Sequence, residues 1–188
     1  MADEKKKSDL GPRLLTAVVA LPVVLYLVFA APAWAFGLLV LWATATSAWE
    51  YCNMTFGKTH KSGVWFVTAL AAPLFAAMYW RPDFFLAALA VCALLVFLFF
   101  LFRYHEQTET SHQIGSSITA LVYGVVMFGT IALLHRDAGP AGALWVLMVL
   151  CIVWLSDTGA YFSGRAFGKR KLYEAVSPNK SVEGAIGG

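Results

Sequence analysis

Long apolar runs dominate the hydrophobic pattern of this chain. Six of them have roughly the length needed to cross a bilayer, which takes about 20 helical residues. They are Leu14 to Ala31, Ala33 to Tyr51, Val64 to Trp80, Phe84 to Phe102, Ile114 to Leu134 and Ala141 to Leu155. The pattern contains neither a tandem repeat nor the alternation of a half-buried strand. It therefore predicts an all-α fold, a polytopic transmembrane helical bundle of about six membrane segments.

Composition agrees with this prediction. The 188 residues are 60% hydrophobic and only 13% charged, which excludes an ordinary soluble domain. Cys52, Cys92 and Cys151 lie in or beside apolar runs, and no pair has a metal-ligand spacing. We therefore expect them to be packing residues without a disulfide framework.

The distribution of Lys and Arg predicts the topology. If the N-terminus is cytosolic, all but two of the fourteen basic residues lie on the inner side, and only Arg81 and Arg136 lie outside. The net charge of +3 then reflects orientation and anionic headgroups, and nucleic acid is not an expected partner. The expected organisation is a cytosolic basic N-terminus (1–13), transmembrane helices (14–155), and a cytosolic motif region that ends with the start of a further helix (156–188).

Candidate chemistry is concentrated in residues 154–188. Asp157 follows the sixth apolar run, and a carboxylate at the C-terminal end of a membrane helix needs a cation or a donor. A bound metal ion would supply the cation. The alternative is that Asp157 caps a short helix beginning at Thr158, since Asp is a favoured N-cap residue.

A basic, glycine-rich loop follows Asp157. Gly164 and Gly168 would let the backbone approach a ligand, while neighbouring cations attract phosphate. These cations are Arg165, Lys169, Arg170 and Lys171. The alternative is that the loop is only the positive flank that fixes topology.

The sequence places a helix start after this loop. Ser177 is a plausible N-cap and Pro178 suits the first helical position, which would create an anion site beside Lys180 and Ser181. The alternative is that this pair only begins a helix.

The histidines carry less information. The stretch from Arg103 to Gln113 contains His105 and His112 with two glutamates between them, and a solvated loop is favoured there over a metal site. His60 and His135 are interpreted as lone loop histidines.

Two motifs carry a family resemblance. SDTGAYFSGRAFGKRKL, followed by SPNKSVEGAIGG, resembles the central motif region of phosphatidate cytidylyltransferases, also called CDP-diacylglycerol synthases. RLLTAVVALPVVL from Arg13 and AWEYCNM from Ala48 are similar to the corresponding places in that family, so the resemblance spans most of the chain.

The resemblance implies transfer of CMP from CTP to phosphatidic acid, with release of pyrophosphate. It implies a polytopic enzyme of the bacterial inner membrane, with its active site facing the cytosol, that depends on Mg2+ and often also on K+. The expected partners are CTP, phosphatidic acid, membrane lipids and, in a homodimer, a second copy of the chain.

The family continues through a Lys-Asp block and a His-Gly-Gly block with further aspartates, whereas this chain ends at Gly188. We therefore expect it to be the N-terminal two-thirds of such an enzyme.

Site residues are assigned on this basis. Asp157 is the expected metal ligand and, with Lys180, a catalytic residue. Substrate binding is assigned to Ser177, Ser181, Lys169, Arg170 and Glu183. Two alternatives remain: a CTP-dependent kinase of a lipid alcohol such as a polyprenol, and a non-catalytic transport or lipid-binding membrane protein.

Overall fold

The computed structural model describes residues 10–56, 61–103 and 110–188, with side chains described from residue 18 onward. The chain forms two compact units, one ending at Gly139 and the other comprising Pro140–Gly188. Apart from one short hairpin, the regular structure described is helical, which confirms the predicted all-α membrane bundle in its essentials. The division into basic N-terminus, membrane helices and cytosolic motif region stays a prediction.

The first unit is built from helices. They are α1 (Leu10–Phe29), α2 (Ala33–Phe56), α3 (Lys61–Trp80), α4 (Phe85–Leu101), α5 (Thr110–Leu121) and α6 (Phe128–Asp137). A 3₁₀ turn (Pro82–Phe84) precedes α4, and a π-helical stretch (Val122–Met127) joins α5 to α6 without a break. A further 3₁₀ turn lies at Gly139–Ala141.

Four helical stretches among the described residues are long and apolar enough to cross a membrane. They are Lys61–Trp80, Pro82–Leu101, Thr110–Asp137 and Gly139–Phe167, and Val18–Phe29 forms a shorter apolar helix. Helix α2 is 24 residues long, but its second half contains Thr, Ser, Glu and Asn and it is not among the four. The prediction of six spans and of a cytosolic N-terminus therefore remains open, whereas membrane association is supported.

Helix α2 is the central helix of the first unit. It packs against α3, α5 and α6, and its buried positions recur at every fourth residue. These are Phe36, Val40, Thr44, Ala48, Cys52 and Phe56. Cys52 and Cys92 are buried and Cys151 is half-buried, all as free thiols, which confirms their predicted role as packing residues.

Two side chains fix the turn between α1 and α2. The carbonyl of Val28 lacks its usual helical donor because the residue four positions later is Pro32, which has no N–H. His135 Nε2 lies 2.8 Å from that oxygen and donates to it, while the Tyr79 hydroxyl donates to the carbonyl of Ala33 at 3.1 Å. His135 lies in α6, so its interpretation as a loop histidine was wrong.

The loop predicted from Arg103 to Gln113 needs a similar correction. Thr110–Gln113 form the first turn of α5, with Thr110 and Gln113 buried. His105 and the two glutamates lie outside the described residues.

The second unit contains α7 (Gly142–Phe167), strands β1 (Lys171–Tyr173) and β2 (Ser177–Ser181), and α8 (Val182–Gly187). The strands pair antiparallel, with Lys171 opposite Ser181 and Tyr173 opposite Ser177. The absence of strands in the sequence prediction was therefore wrong here. Helix α7 continues well beyond Leu155, whereas the prediction ended the apolar segment at that residue.

We expect His135→Ala to lower the free energy of unfolding by about 1–3 kcal/mol, because the buried Val28 carbonyl loses the donor that His135 provides. Thermal unfolding in detergent measures this effect. Thr119→Ala is the control, since the Thr119 hydroxyl is exposed and only donates to a carbonyl of its own helix. Equal unfolding midpoints for both variants would contradict this role of His135.

Candidate active site

Small residues hold α7 and α8 in close contact. One face of α7 carries Ser156, Ala160 and Gly164 at four-residue intervals, a spacing that lets helix backbones approach closely. A Cβ atom on Gly184 would lie 2.9 Å from the carbonyl oxygen of Ala160 and 3.1 Å from the Cα of Gly164. A Cβ on Gly187 would collide with the side chain of Ser163. The two helices therefore approach at a distance that larger residues would not permit.

The helices run in opposite directions. The start of α8 lies near Gly164, since a Cβ there would be 3.2 Å from Ser181 Oγ, and its end lies near Gly159 and Ser156. This arrangement brings the chain that leaves α7 back against the helix from which it came. The sequence prediction did not recognise this contact, although the small residues on α7 were a usable signal.

Ser181 is the N-cap of α8. Its Oγ accepts a hydrogen bond from the Gly184 N–H at 3.1 Å, and its backbone is extended (φ −117°, ψ 157°). The predicted N-cap, Ser177, instead begins β2, and Pro178 lies in that strand. The predicted helix start at Ser177 was therefore wrong by four residues. The expected anion site on that helix turn does not form there.

The basic loop and the hairpin that follows it display basic side chains at their surface. Lys171 Nζ donates to the carbonyl oxygen of Pro178, across the two strands. Lys169, Arg170 and Lys180 are exposed, and none of their side chains forms a hydrogen bond or ion pair with another described residue. These three cations are therefore available to an anionic ligand.

Glu183 binds the backbone of the basic loop. Its carboxylate accepts a hydrogen bond from the Lys169 N–H at 3.1 Å. It also accepts a bifurcated hydrogen bond from the Arg170 N–H, which lies 3.3 Å from each of the two carboxylate oxygens. The pKa of Glu183 is lowered below its ordinary value, first by hydrogen bonds from its own N–H and from the Lys169 N–H. The hydrogen bond from the Arg170 N–H and the positive charge of Arg170 lower it further. Glu183 is therefore held in its ionised form.

Asp157 lies within α7, ten residues before the helix ends. It is neither at a C-terminal end nor the cap of a helix beginning at Thr158, so both predicted positions were wrong. Asp157 is exposed, and no other described residue forms a hydrogen bond or ion pair with its carboxylate. It precedes Gly164 by seven residues, two helical turns, and thus lies on the same side of α7 about 10 Å along the axis.

Arg165 completes the polar side of α7. Its Nη1 donates to the Tyr161 hydroxyl at 3.1 Å, one turn earlier in the helix. Arg165 was predicted as part of a loop, whereas it lies in the last turn of α7. Asp157, Tyr161 and Arg165 follow one another at four-residue intervals, so one side of the helix carries a carboxylate, a phenol and a guanidinium.

The structure brings together only part of the predicted site. Lys169, Arg170, Ser181 and Glu183 meet where the basic loop contacts the start of α8. Ser177 lies at the other end of β2, beside Tyr173. Across residues 10–56, 61–103 and 110–188 there is no group of three or more His, Cys, Asp or Glu side chains that could hold a metal ion. The assigned roles of these residues remain predictions.

These features define an integral membrane protein of mainly helical structure that presents a cationic, glycine-rich surface. The chain belongs to the cytidylyltransferase family, whose sequence profile matches residues 11–188. This finding confirms the family predicted from the two motifs.

Individual relatives agree with the family assignment. The chain is 32% identical over 181 residues to a phosphatidate cytidylyltransferase of Pseudomonas aeruginosa, an alignment that covers 95% of this chain and 66% of that protein. A protein of the same name from Haemophilus influenzae is 50% identical over 74 residues, which cover 39% of this chain and 25% of that protein. One from Staphylococcus saprophyticus is 53% identical over 47 residues, covering 25% and 18%. The chain thus spans just under two thirds of the length of the Pseudomonas relative.

We expect Gly159→Ala to separate α8 from α7, because the added Cβ would collide with the backbone carbonyl oxygen of Gly187. Such overpacking typically costs about 1–3 kcal/mol. Amide hydrogen exchange in Val182–Gly187 should become faster.

Gly115→Ala is the matched control, since it makes the same change in a helix where nothing lies within 4 Å of the added atom. Unaltered exchange of α8 in the Gly159→Ala protein would contradict the close helix contact.

Proposed function

We propose that this chain provides the membrane-embedded and phosphate-binding part of a phosphatidate cytidylyltransferase. The reaction transfers CMP from CTP to phosphatidic acid and yields CDP-diacylglycerol and pyrophosphate. The proposal rests above all on one observation: Lys169, Arg170 and Lys180 are exposed on the loop and hairpin that lead into α8. Helix α8 packs against α7, the membrane helix that carries the exposed carboxylate of Asp157, and none of these four side chains forms a hydrogen bond or ion pair with another described residue. Membership of the cytidylyltransferase family supports the same reaction.

Both substrates suit this surface chemically. CTP brings a triphosphate, and phosphatidic acid brings a phosphate at the level of the lipid headgroups, so each adds negative charge that Lys and Arg side chains stabilise. Gly164 and Gly168, at the end of α7, leave room for Ser181 and so let the basic loop lie close to the start of α8. The apolar outer faces of the helices, such as Leu86, Leu94 and Leu155, suit the acyl chains of the bilayer.

The transfer itself requires charge neutralisation more than covalent assistance. An oxygen of the phosphatidate phosphate forms a bond to the α-phosphorus of CTP, while the bond from that phosphorus to the bridging oxygen breaks. The electron pair of that bond leaves with pyrophosphate. Lys180, Lys169 and Arg170 would bind the phosphates and stabilise the negative charge that moves onto the leaving group.

Asp157 suits the ligand chemistry of Mg2+, which proteins hold through one or two carboxylates together with substrate phosphates. Its carboxylate is exposed and without a partner among the described residues. When bound, the ion supplies further neutralisation of the phosphate charges. We therefore propose Asp157 as one protein ligand of Mg2+, while a role for K+ and a homodimer remain predictions.

The location of the site follows from the charge distribution. With the N-terminus in the cytosol, the basic hairpin lies on the positively charged, cytosolic side. CTP is a cytosolic nucleotide, so a site on this side has direct access to it. We accordingly propose a protein of the bacterial inner membrane whose active site faces the cytosol.

CTP labelled in different phosphates tests the reaction. We expect membranes containing the chain to incorporate label from α-labelled CTP into lipid when phosphatidic acid is present, because CMP is transferred. Label from γ-labelled CTP should appear in pyrophosphate and not in lipid. The same assay is run on the chain extended through any in-frame coding sequence downstream of Gly188.

Each outcome of that assay separates the alternatives. Label from the γ-position in lipid would identify a CTP-dependent lipid kinase and overturn the proposal. Incorporation of neither label in both forms of the protein would favour a non-catalytic membrane protein.

In the enzyme completed by any in-frame sequence downstream of Gly188, we expect Asp157→Asn to abolish Mg2+-dependent transfer, a fall of about a hundredfold or more, because an amide does not provide the charge of a carboxylate ligand. Membrane insertion should be unaffected. Glu174→Gln is the control, since it removes an equal charge from an exposed position in the hairpin turn. Full activity in the Asp157→Asn protein would remove Asp157 from the metal site.

A further inference from the structure

The basic loop lacks regular backbone partners where it leaves α7. Helix α7 ends at Phe167, and Gly168 turns away with an extended backbone (φ −60°, ψ 110°). β1 begins only at Lys171. The N–H groups of Lys169 and Arg170 therefore belong neither to the helix nor to the hairpin ladder.

Residues at the start of α8 supply these missing partners. The Val182 N–H donates to the Arg170 carbonyl at 3.0 Å. In the opposite direction, the Glu183 carboxylate accepts from the N–H groups of Lys169 and Arg170. Val182 and Glu183, two successive residues of α8, thus bind both the carbonyl and the N–H groups of the basic loop.

A carboxylate in this position is poorly suited to contact a substrate phosphate directly. It is an acceptor without a proton to donate, and its charge repels a phosphate. The same carboxylate is well suited to hold backbone N–H groups, because hydrogen bonds to a charged acceptor are stronger than those between neutral groups. Its present contacts use it in this second way.

We propose that Glu183 is a positioning residue, which fixes the backbone of Lys169 and Arg170 so that their side chains are held ready for the triphosphate of CTP. This inference rests on the proposed function and changes the role of Glu183 from substrate contact to support of the residues that make the contact. Without the carboxylate, the loop keeps all its cations but must be ordered when the ligand binds, which costs conformational entropy.

The variant Glu183→Gln tests the proposal, with Glu174→Gln as its matched control. Both changes remove one negative charge from the same small unit, but Glu174 is exposed in the hairpin turn and holds no loop backbone. Two quantities are measured in each protein: hydrogen exchange of the Lys169 and Arg170 amides, and binding of α-labelled CTP with Mg2+ by equilibrium dialysis.

In the Glu183→Gln protein we expect both amides to exchange about tenfold faster and CTP to bind about tenfold more weakly. The Glu174→Gln protein should match the wild type in both measurements. Unchanged exchange, unchanged CTP affinity or an equal loss in the control would each overturn the positioning role.

Failure of the proposed function gives a different result. If the wild-type chain does not bind CTP, the proposed substrate is wrong. The exchange of the two amides then decides alone whether Glu183 holds this loop.

The wild-type protein provides a test that needs no substitution. Because the pKa of Glu183 is lowered in the folded protein, its contribution is complete above the pKa of an unfolded glutamate and is lost as pH falls through the lowered value. Arg170 is the charged side chain that acts on this carboxylate, and it stays protonated throughout that range. After correction for intrinsic rates, protection of the Lys169 and Arg170 amides should fall on acidification, and constant protection would contradict the proposal.

Discussion

The close approach of two backbones is the constraint on which the candidate site depends. α8 has only six residues, too few to be stable as an isolated helix. It is held because Gly184 and Gly187 leave room for Ala160, Gly164 and Ser163 of α7. The basic loop and the hairpin connect these two helices. Both ends of this connection are therefore fixed at the same membrane helix, α7.

Hydrogen-bond partners for the backbone explain the polar residues that this arrangement uses. A chain that leaves a helix and returns to it has N–H and C=O groups without regular partners. Ser181 accepts a hydrogen bond from one such N–H group at the start of α8, and Glu183 accepts hydrogen bonds from two N–H groups of the loop. The fold thus assigns two of the predicted substrate-binding side chains to backbone contacts, while it leaves the cations beside them exposed. The first unit solves the same problem at the turn between α1 and α2 with His135 and Tyr79.

The sequence was sufficient for much of the fold because long apolar runs permit few alternatives in a membrane. It also identified the family, since the motifs around Asp157 and Lys180 are specific. It did not show that α7 continues to Phe167, because residues 156–167 mix Ser, Gly, Asp and Arg, a composition that resembles a loop. The small residues there form a packing face, which becomes evident only when α8 is placed against it.

The error at Ser177 has a comparable cause. Ser followed by Pro is a good local signal for a helix start, but the pairing of Ser177 with Tyr173 and of Ser181 with Lys171 places that segment in a hairpin. Long-range pairing of strands is not visible in a single short motif. The role of Glu183 was inaccessible for the same reason, because its partners lie thirteen and fourteen residues earlier in the chain.

The hydrogen bond between Val28 and His135 has a consequence for biogenesis. The two residues are 107 positions apart, so the first helical hairpin is synthesised long before its partner side chain leaves the ribosome. Until then the Val28 carbonyl, which Pro32 leaves without its helical donor, can be hydrogen-bonded only by water or by another group, because a buried carbonyl without a donor is costly. The turn between α1 and α2 therefore acquires this hydrogen bond only after α6 has been synthesised, so one of the first segments to be made is among the last to gain all its partners.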